Sequence, residues 1–196
     1  MGFVSILSQK SDKIVIFPHN KPFGTLFVID KSEYNYLKER RITMNFNNFT
    51  IKAQEAVQEA VNLTQAHNGQ VIEPIHLLQA VMKVGENVTK FIFQKLGVNG
   101  QQIVNVVARQ IESLPKVSGG NPYLSRESND VLQKAVQYSK EMGDEFVSIE
   151  PIILALLVVK STASSILKDA GVSEKELREA INELRKGERV TSQSSE

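Results

Sequence analysis

Two carboxylates, Asp144 and Glu150, stand at the edge of the most hydrophobic segment of the chain, in GDEFVSIEPIILALL from Gly143 to Leu157. Asp144 lies in a loop whose backbone N–H groups its carboxylate can hold. Glu150 sits in a first helical turn, where the positive end of the helix macrodipole favours a negative charge. Tyr138, Phe146 and Ile152 are close in sequence to the same corner, and apolar side chains rimmed by charge suit a groove for polypeptide. A residue can cap a helix and rim a groove at once.

Other chemistry finds no footing. The three histidines, His19, His67 and His76, lack the His-x-x-x-His or carboxylate spacing of a metal site. No G-x-x-x-x-G-K-[ST] phosphate loop occurs, and Gly119-Gly120 lies in a linker without a preceding strand, so nothing here is shaped to hold ATP. With no cysteine, a nucleophile would have to be Ser or Thr, and none has the G-x-S-x-G setting. Glu55 and Glu59 are spaced as a solvated helix face. The reading is a non-enzymatic chain with no metal or cofactor of its own.

The elements that must carry these residues are helical from Asn47 onward. Ala53, Val57, Ala60, Val61 and Thr64 fall on one face of a helix over about 50–67, with Thr50 as its N-cap. Pro74 suits a first helical turn, and Ile75, Leu77, Leu78, Val81 and Met82 follow. A short helix over about 88–96 ends at Gly97, and Asn99 with Gln102 opens the next, whose apolar side is Ile103, Val106, Val107 and Ile111.

After LPKVSGGNPY the pattern restarts. Ser125 is placed as an N-cap, Ala135-Val136 repeats Ala60-Val61, and Gly171-Val172 repeats Gly97-Val98 at an offset of 74. Ser173 with Glu176 repeats the Asn99–Gln102 capping signature, and Leu177, Ala180, Ile181 and Leu184 face inward. Glu150-Pro151 pairs with Glu73-Pro74 at an offset of 77. These repeats predict an all-α fold of eight helices, two quartets packed about a pseudo-two-fold axis, because a lone quartet of this size buries too little. The expected divisions are repeat one over 47–113, a linker over 114–124 and repeat two over 125–186, within a domain spanning 44–186. The polar tail 187–196 reads as the start of a further linker.

Residues 1–43 carry strand-like KIVIF and GTLFVI around a PHNKP turn, with seven basic and four acidic side chains against sixteen and eighteen in the rest. The expectation is a poorly ordered extension. Lys-Glu ahead of Met44 can be encoded as a ribosome-binding sequence, which makes Met44 one candidate start; a genuine extension or an expression artefact are the others. A net charge of +1 with scattered basic residues implies no nucleic acid, and no apolar run is long enough to cross a bilayer. A cysteine-free chain fits a reducing compartment, and a cytoplasmic monomer is the expectation.

FTIKAQEAVQEAVNLTQAHNGQVIEPIHLLQAV together with GDEFVSIEPIILALL, ILKDAGVS and LRKGERVTSQS resembles the N-terminal Clp repeat domain of the ClpB disaggregase family over about 44–196. The resemblance implies a compact eight-helix domain that binds unfolded or aggregated polypeptide and passes it to an ATP-driven hexameric ring, with co-chaperones as further partners. ATP and magnesium then belong to the parent's ATPase modules. It also implies that Thr50, Asp144 and Glu150 take part in substrate work beside an apolar groove, which completes a candidate set with Tyr138, Phe146 and Ile152. Pro151 and the 1–43 extension depart from the family pattern. The alternatives are the N-domain of a protease-associated Clp ATPase that binds adaptors, or a purely structural helical scaffold.

Overall fold

The computed structural model describes residues 13–16, 27–30, 46–117 and 121–195. The chain divides into a unit Met1–Asn45 and a unit Phe46–Glu196. In the first, β1 (Lys13–Ile16) and β2 (Phe27–Asp30) pair antiparallel with Lys13 opposite Asp30, so both strand-like stretches do contribute strands. The expected poor order of the rest of 1–43 lies outside the described residues.

The second unit is built from eight α-helices: α1 (Ile51–Ala66), α2 (Pro74–Val84), α3 (Glu86–Lys95), α4 (Gly100–Glu112), α5 (Arg126–Glu141), α6 (Ile149–Val158), α7 (Thr162–Asp169) and α8 (Glu174–Arg185). The first four and the last four repeat the same order of lengths: long, medium, short, long. Their starts are local events. Thr50, Asn99, Ser125 and Ser173 each accept a hydrogen bond from an N–H three residues on, which satisfies a donor that no helical carbonyl can reach. Gly97 and Gly171 adopt φ of 66° and 92° after α3 and α7, a backbone region that side chains disfavour.

The quartets share one core. Every residue from Ile149 to Leu157 of α6 is buried, as expected of a helix apolar on all sides, and α2 is buried along most of its length beside it. At Gly85, between α2 and α3, the quartets approach closely: a Cβ there would lie 2.8 Å from Cγ2 of Ile149.

Two reciprocal backbone pairings cross between the repeats. β3 (Val71–Ile72), after α1, runs parallel to β4 (Tyr123–Leu124), before α5, and Ser125 N–H donates to Ile72 C=O at 3.1 Å. Val147, after α5, bridges Phe49, before α1, and Thr50 N–H donates to Val147 C=O at 2.9 Å. Each repeat lends an edge to the first helix of the other. Part of the 114–124 linker is therefore structured, since β4 lies within it.

These pairings set the true register at 75, Ile72 matching Val147 and Thr50 matching Ser125. Glu73-Pro74 corresponds to Ser148-Ile149, and the offset of 77 between the two Glu-Pro pairs is corrected by two residues. Pro74 is the first residue of α2, whereas Pro151 is the third residue of α6.

The tail also departs from expectation. Lys186 and Gly187 have φ of 50° and 86°, which turns the chain back on the domain. Glu145 N–H donates to Val190 C=O at 2.9 Å, and Ile51 N–H donates to Gln193 C=O at 2.8 Å. Residues 188–195 are a docked strap; a polar, aperiodic sequence can bind through its main chain with no hydrophobic period to announce it.

Candidate functional site

Asp144 and Glu150 meet at one atom group, the guanidinium of Arg185 on the last turn of α8. Arg185 Nη1 donates to Asp144 Oδ2 at 2.7 Å, Nε to Glu150 Oε1 at 2.9 Å, and Nη2 to Ser148 Oγ at 2.9 Å. All three charged side chains are nearly enclosed, with the Asp144 side chain 0% and that of Arg185 9% exposed. Burial opposes the charge on Arg185, yet Glu150 and Asp144 outweigh it and hold the guanidinium above its usual range. Two carboxylates face one guanidinium. The remaining negative charge is met by the N-terminal end of α6, in whose first turn Glu150 sits, and by Val190 N–H, which donates to Asp144 Oδ1 at 2.9 Å.

Pro151 shapes this arrangement. An N-cap hydroxyl ordinarily accepts from the third helical N–H, and at that position of α6 proline has none. Ser148 makes no such cap bond, and its oxygen is open to Arg185.

The corresponding corner of repeat one is built without an ion pair. There His76 Nδ1 accepts from Glu73 N–H at 3.0 Å, and burial keeps the imidazole neutral, its pKa lowered to about 4. Burial and the nearby Glu127 raise the Glu73 carboxyl, against a hydrogen bond with Ser125 that lowers it. Ser128 Oγ donates to Ile72 C=O at 2.6 Å and ties α5 to this corner. A cleft of about 610 Å³ opens beside it, lined by Glu73, Ile75, Leu114, Glu127 and Lys160 among others.

The expected site residues thus separate. Asp144 and Glu150 do come together, and Asp144 does hold a backbone N–H, but that of Val190 in the strap. Both are engaged within the domain, Asp144 through Oδ1 and Oδ2 and Glu150 through Oε1. Thr50, 0% exposed, caps α1 through Ala53 N–H at 3.2 Å. Ile152 is a core residue, 0% exposed, because α6 is enclosed by neighbouring helices including α5 and α2 along 149–157, and it forms no rim. Tyr138 is buried too, with Lys134 Nζ 4.8 Å and the Arg178 guanidinium 4.7 Å from its ring centre. Of these residues only Phe146 retains partial exposure, and the backbone pairing of Thr50 with Val147 adds a residue the sequence did not single out, the 50% exposed Ile51. Arg185 was equally unmarked; its one signal is its place in LRKGERV, inside a stretch that carries the family resemblance.

Residues 48–170 match the family described as the Clp repeat (R) N-terminal domain. The chain is 80% identical over 153 residues to the chaperone protein ClpB of Bacteroides thetaiotaomicron and 56% identical over 153 residues to that of Porphyromonas gingivalis. Each match covers 78% of this chain and 18% of the relative, so the chain spans under a fifth of those proteins. The Hsp104 N-terminal domain of Candida albicans has the same fold, with a TM-score of 0.68 at 23% identity over 75% of this chain and 97% of that one.

Proposed function

The chain belongs to the Clp repeat N-terminal domain family, and from that premise we propose that it captures unfolded or aggregated polypeptide for the ATP-driven ring of a parent disaggregase. The observation that carries the reading is an apolar pair on a rigid base. Ile51 and Phe146 project from two backbone segments that the Thr50–Val147 bond clamps side by side, behind which Arg185, Asp144 and Glu150 lock the loop to α8. Apolar side chains on an immobilised backbone can accept many sequences without reordering. Thr50, Asp144, Glu150, Tyr138 and Ile152 serve this substrate work by fixing the platform, and Phe146 with Ile51 makes the contact. Affinity is expected to be weak, about micromolar or poorer, as a shallow, unselective surface gives. The domain acts as a cytoplasmic monomer, with ATP and magnesium used by the parent's ATPase modules and co-chaperones as further partners.

Amide chemical-shift mapping with a reduced, alkylated and permanently unfolded protein tests this. Shifts should cluster at residues 49–51 and 143–148, and Ile51→Ser with Phe146→Ser should weaken binding about tenfold while the thermal midpoint holds, since both side chains are already partly in water. Unchanged binding in that double variant, or no binding by the parent chain, would overturn the reading.

A further inference from the structure

The strap 188–195 is held in the manner of a bound extended peptide. Its main chain supplies most of the contacts: Val190 N–H to Asp144 Oδ1 at 2.9 Å, Val190 C=O from Glu145 N–H at 2.9 Å, and Gln193 C=O from Ile51 N–H at 2.8 Å. The Gln193 side-chain amide adds a bond to Asn47 C=O at 2.7 Å. Only one of its side chains is buried, Val190, while Glu188, Arg189, Thr191, Ser192, Gln193 and Ser194 are exposed. Val190 and Ser195 wall a hollow of about 230 Å³ whose other sides include Val88, Ser148 and Glu150. So small an apolar contact makes a weak attachment, and the bonds to main-chain atoms would serve any extended segment.

The other repeat supports the comparison. There the segment following α4 also turns back on the loop after α1, Val117 N–H donating to Asn68 C=O at 2.7 Å with the residue 47% exposed, and β4 and α5 come next in the chain order. In repeat one this returning segment precedes a strand, β4, that is paired in the fold. In repeat two its counterpart lies against the two backbone edges that carry Ile51 and Phe146.

We infer that the corner formed by residues 47–51 and 144–146 is a binding site for extended polypeptide main chain with a small branched apolar side chain, and that residues 188–195 occupy it in cis and must be displaced by an incoming segment. The inference rests on the proposed capture of polypeptide at this corner. Its consequence is a competition in which the apparent affinity for a client is the intrinsic one reduced by the fraction of molecules with the strap lifted. Asp144 is then the residue that reads the backbone, by accepting an N–H from whichever segment is seated, with Arg185 as its positioning residue.

Two variants test the competition in opposite directions. Val190→Ser with Gln193→Ala weakens the strap and should raise client affinity about fivefold or more. The chain has no native cysteine, so Asn47→Cys with Gln193→Cys introduces a single pair across the strap. When its disulfide is confirmed by mass, client binding should be largely lost and recover on reduction. A third arm does not depend on any client: the synthetic peptide GERVTSQSS, residues 187–195, should give saturable amide shifts at Ile51, Glu145 and Phe146 in the weakened-strap variant and much smaller ones in the parent chain. Failure of the peptide to bind there, or equal client affinity in locked and released forms, overturns the inference. Client binding that persists unchanged in both forms leaves the capture reading standing while removing the strap; loss of client binding in every form, with the peptide still bound, does the reverse.

Discussion

The two Glu-Pro corners use the same dipeptide for different physical ends. At Glu73-Pro74 the glutamate precedes the helix, proline takes the first position, and a buried neutral histidine closes the cap from within the same turn. At Glu150-Pro151 the pair sits two residues deeper, proline removes the third N–H, and the serine oxygen so released joins a guanidinium that also binds two buried carboxylates. One corner is self-sufficient. The other is completed by a residue more than thirty positions away, which couples α6, the 143–148 loop, α8 and the strap. A repeated motif therefore need not mark a repeated site; its register relative to the helix start decides which donors and acceptors are left over.

The strongest way to break this contrast is to remove the cation. Arg185→Met should cost about 3–5 kcal/mol in urea denaturation, because Asp144 and Glu150 are left as buried, uncompensated charges. Adding Asp144→Asn and Glu150→Gln to it should recover a large part of that loss, while the first corner is indifferent to all three. Equal, small losses in the single and triple variants would mean that the cluster is solvated and contributes little.

Acid should act on the other corner. His76 has its pKa lowered by burial from 6.5 to about 4, so the folded state binds fewer protons than the unfolded one between those values. The neutral histidine's contribution is full above pH 6.5 and is lost as the pH falls toward 4, up to about 3 kcal/mol. Glu73 works against this: its raised pKa means that the folded state takes up a proton earlier, which returns stability as the pH drops and makes the net slope shallower. Urea midpoints at pH 7 and 4.5 should show the fall in the parent chain and a smaller one in His76→Gln. The same fall in both would place the acid sensitivity elsewhere.

The smallest effect sharpens the account of Pro151. Pro151→Ala restores the third N–H of α6, which Ser148 could then cap, and relaxes the unfolded chain, so a net change within about 1 kcal/mol is expected. Nitrogen-15 spectra should report it more clearly than stability, through a shifted Arg185 Nε signal if the hydroxyl turns from the guanidinium to the helix. An unmoved Arg185 resonance would show that proline has no part in freeing Ser148.

The helices, their caps at Thr50, Asn99, Ser125 and Ser173, the glycines at Gly97 and Gly171 and the division into two quartets were all legible because each is written in interactions between residues three or four apart. The carboxylates at 144 and 150 were legible as unusual, since charge beside an apolar run is costly unless compensated. Their compensation was not. Arg185 reads in sequence as one more basic residue in the last turn of a helix, and Val190 as part of a polar tail; the fold makes one a buried counter-ion and the other an anchor.

Ile152, Tyr138 and Thr50 show the same division from the other side. Local pattern placed them near a corner that suits polypeptide, while only the enclosure of α6 by its neighbouring helices determines that Ile152 lies in the core, and only the tertiary approach of Arg178 from α8 joins Lys134 over the Tyr138 ring. By itself the sequence determined the secondary structure and its duplication, since backbone hydrogen bonding and side-chain period act over one or two turns. The tertiary structure decided which charges pair, which apolar residues stay outside and where the tail lies, because burial and Coulomb energy depend on distance in space, and residues dozens of positions apart in the chain acquire that distance only when the quartets close on one another.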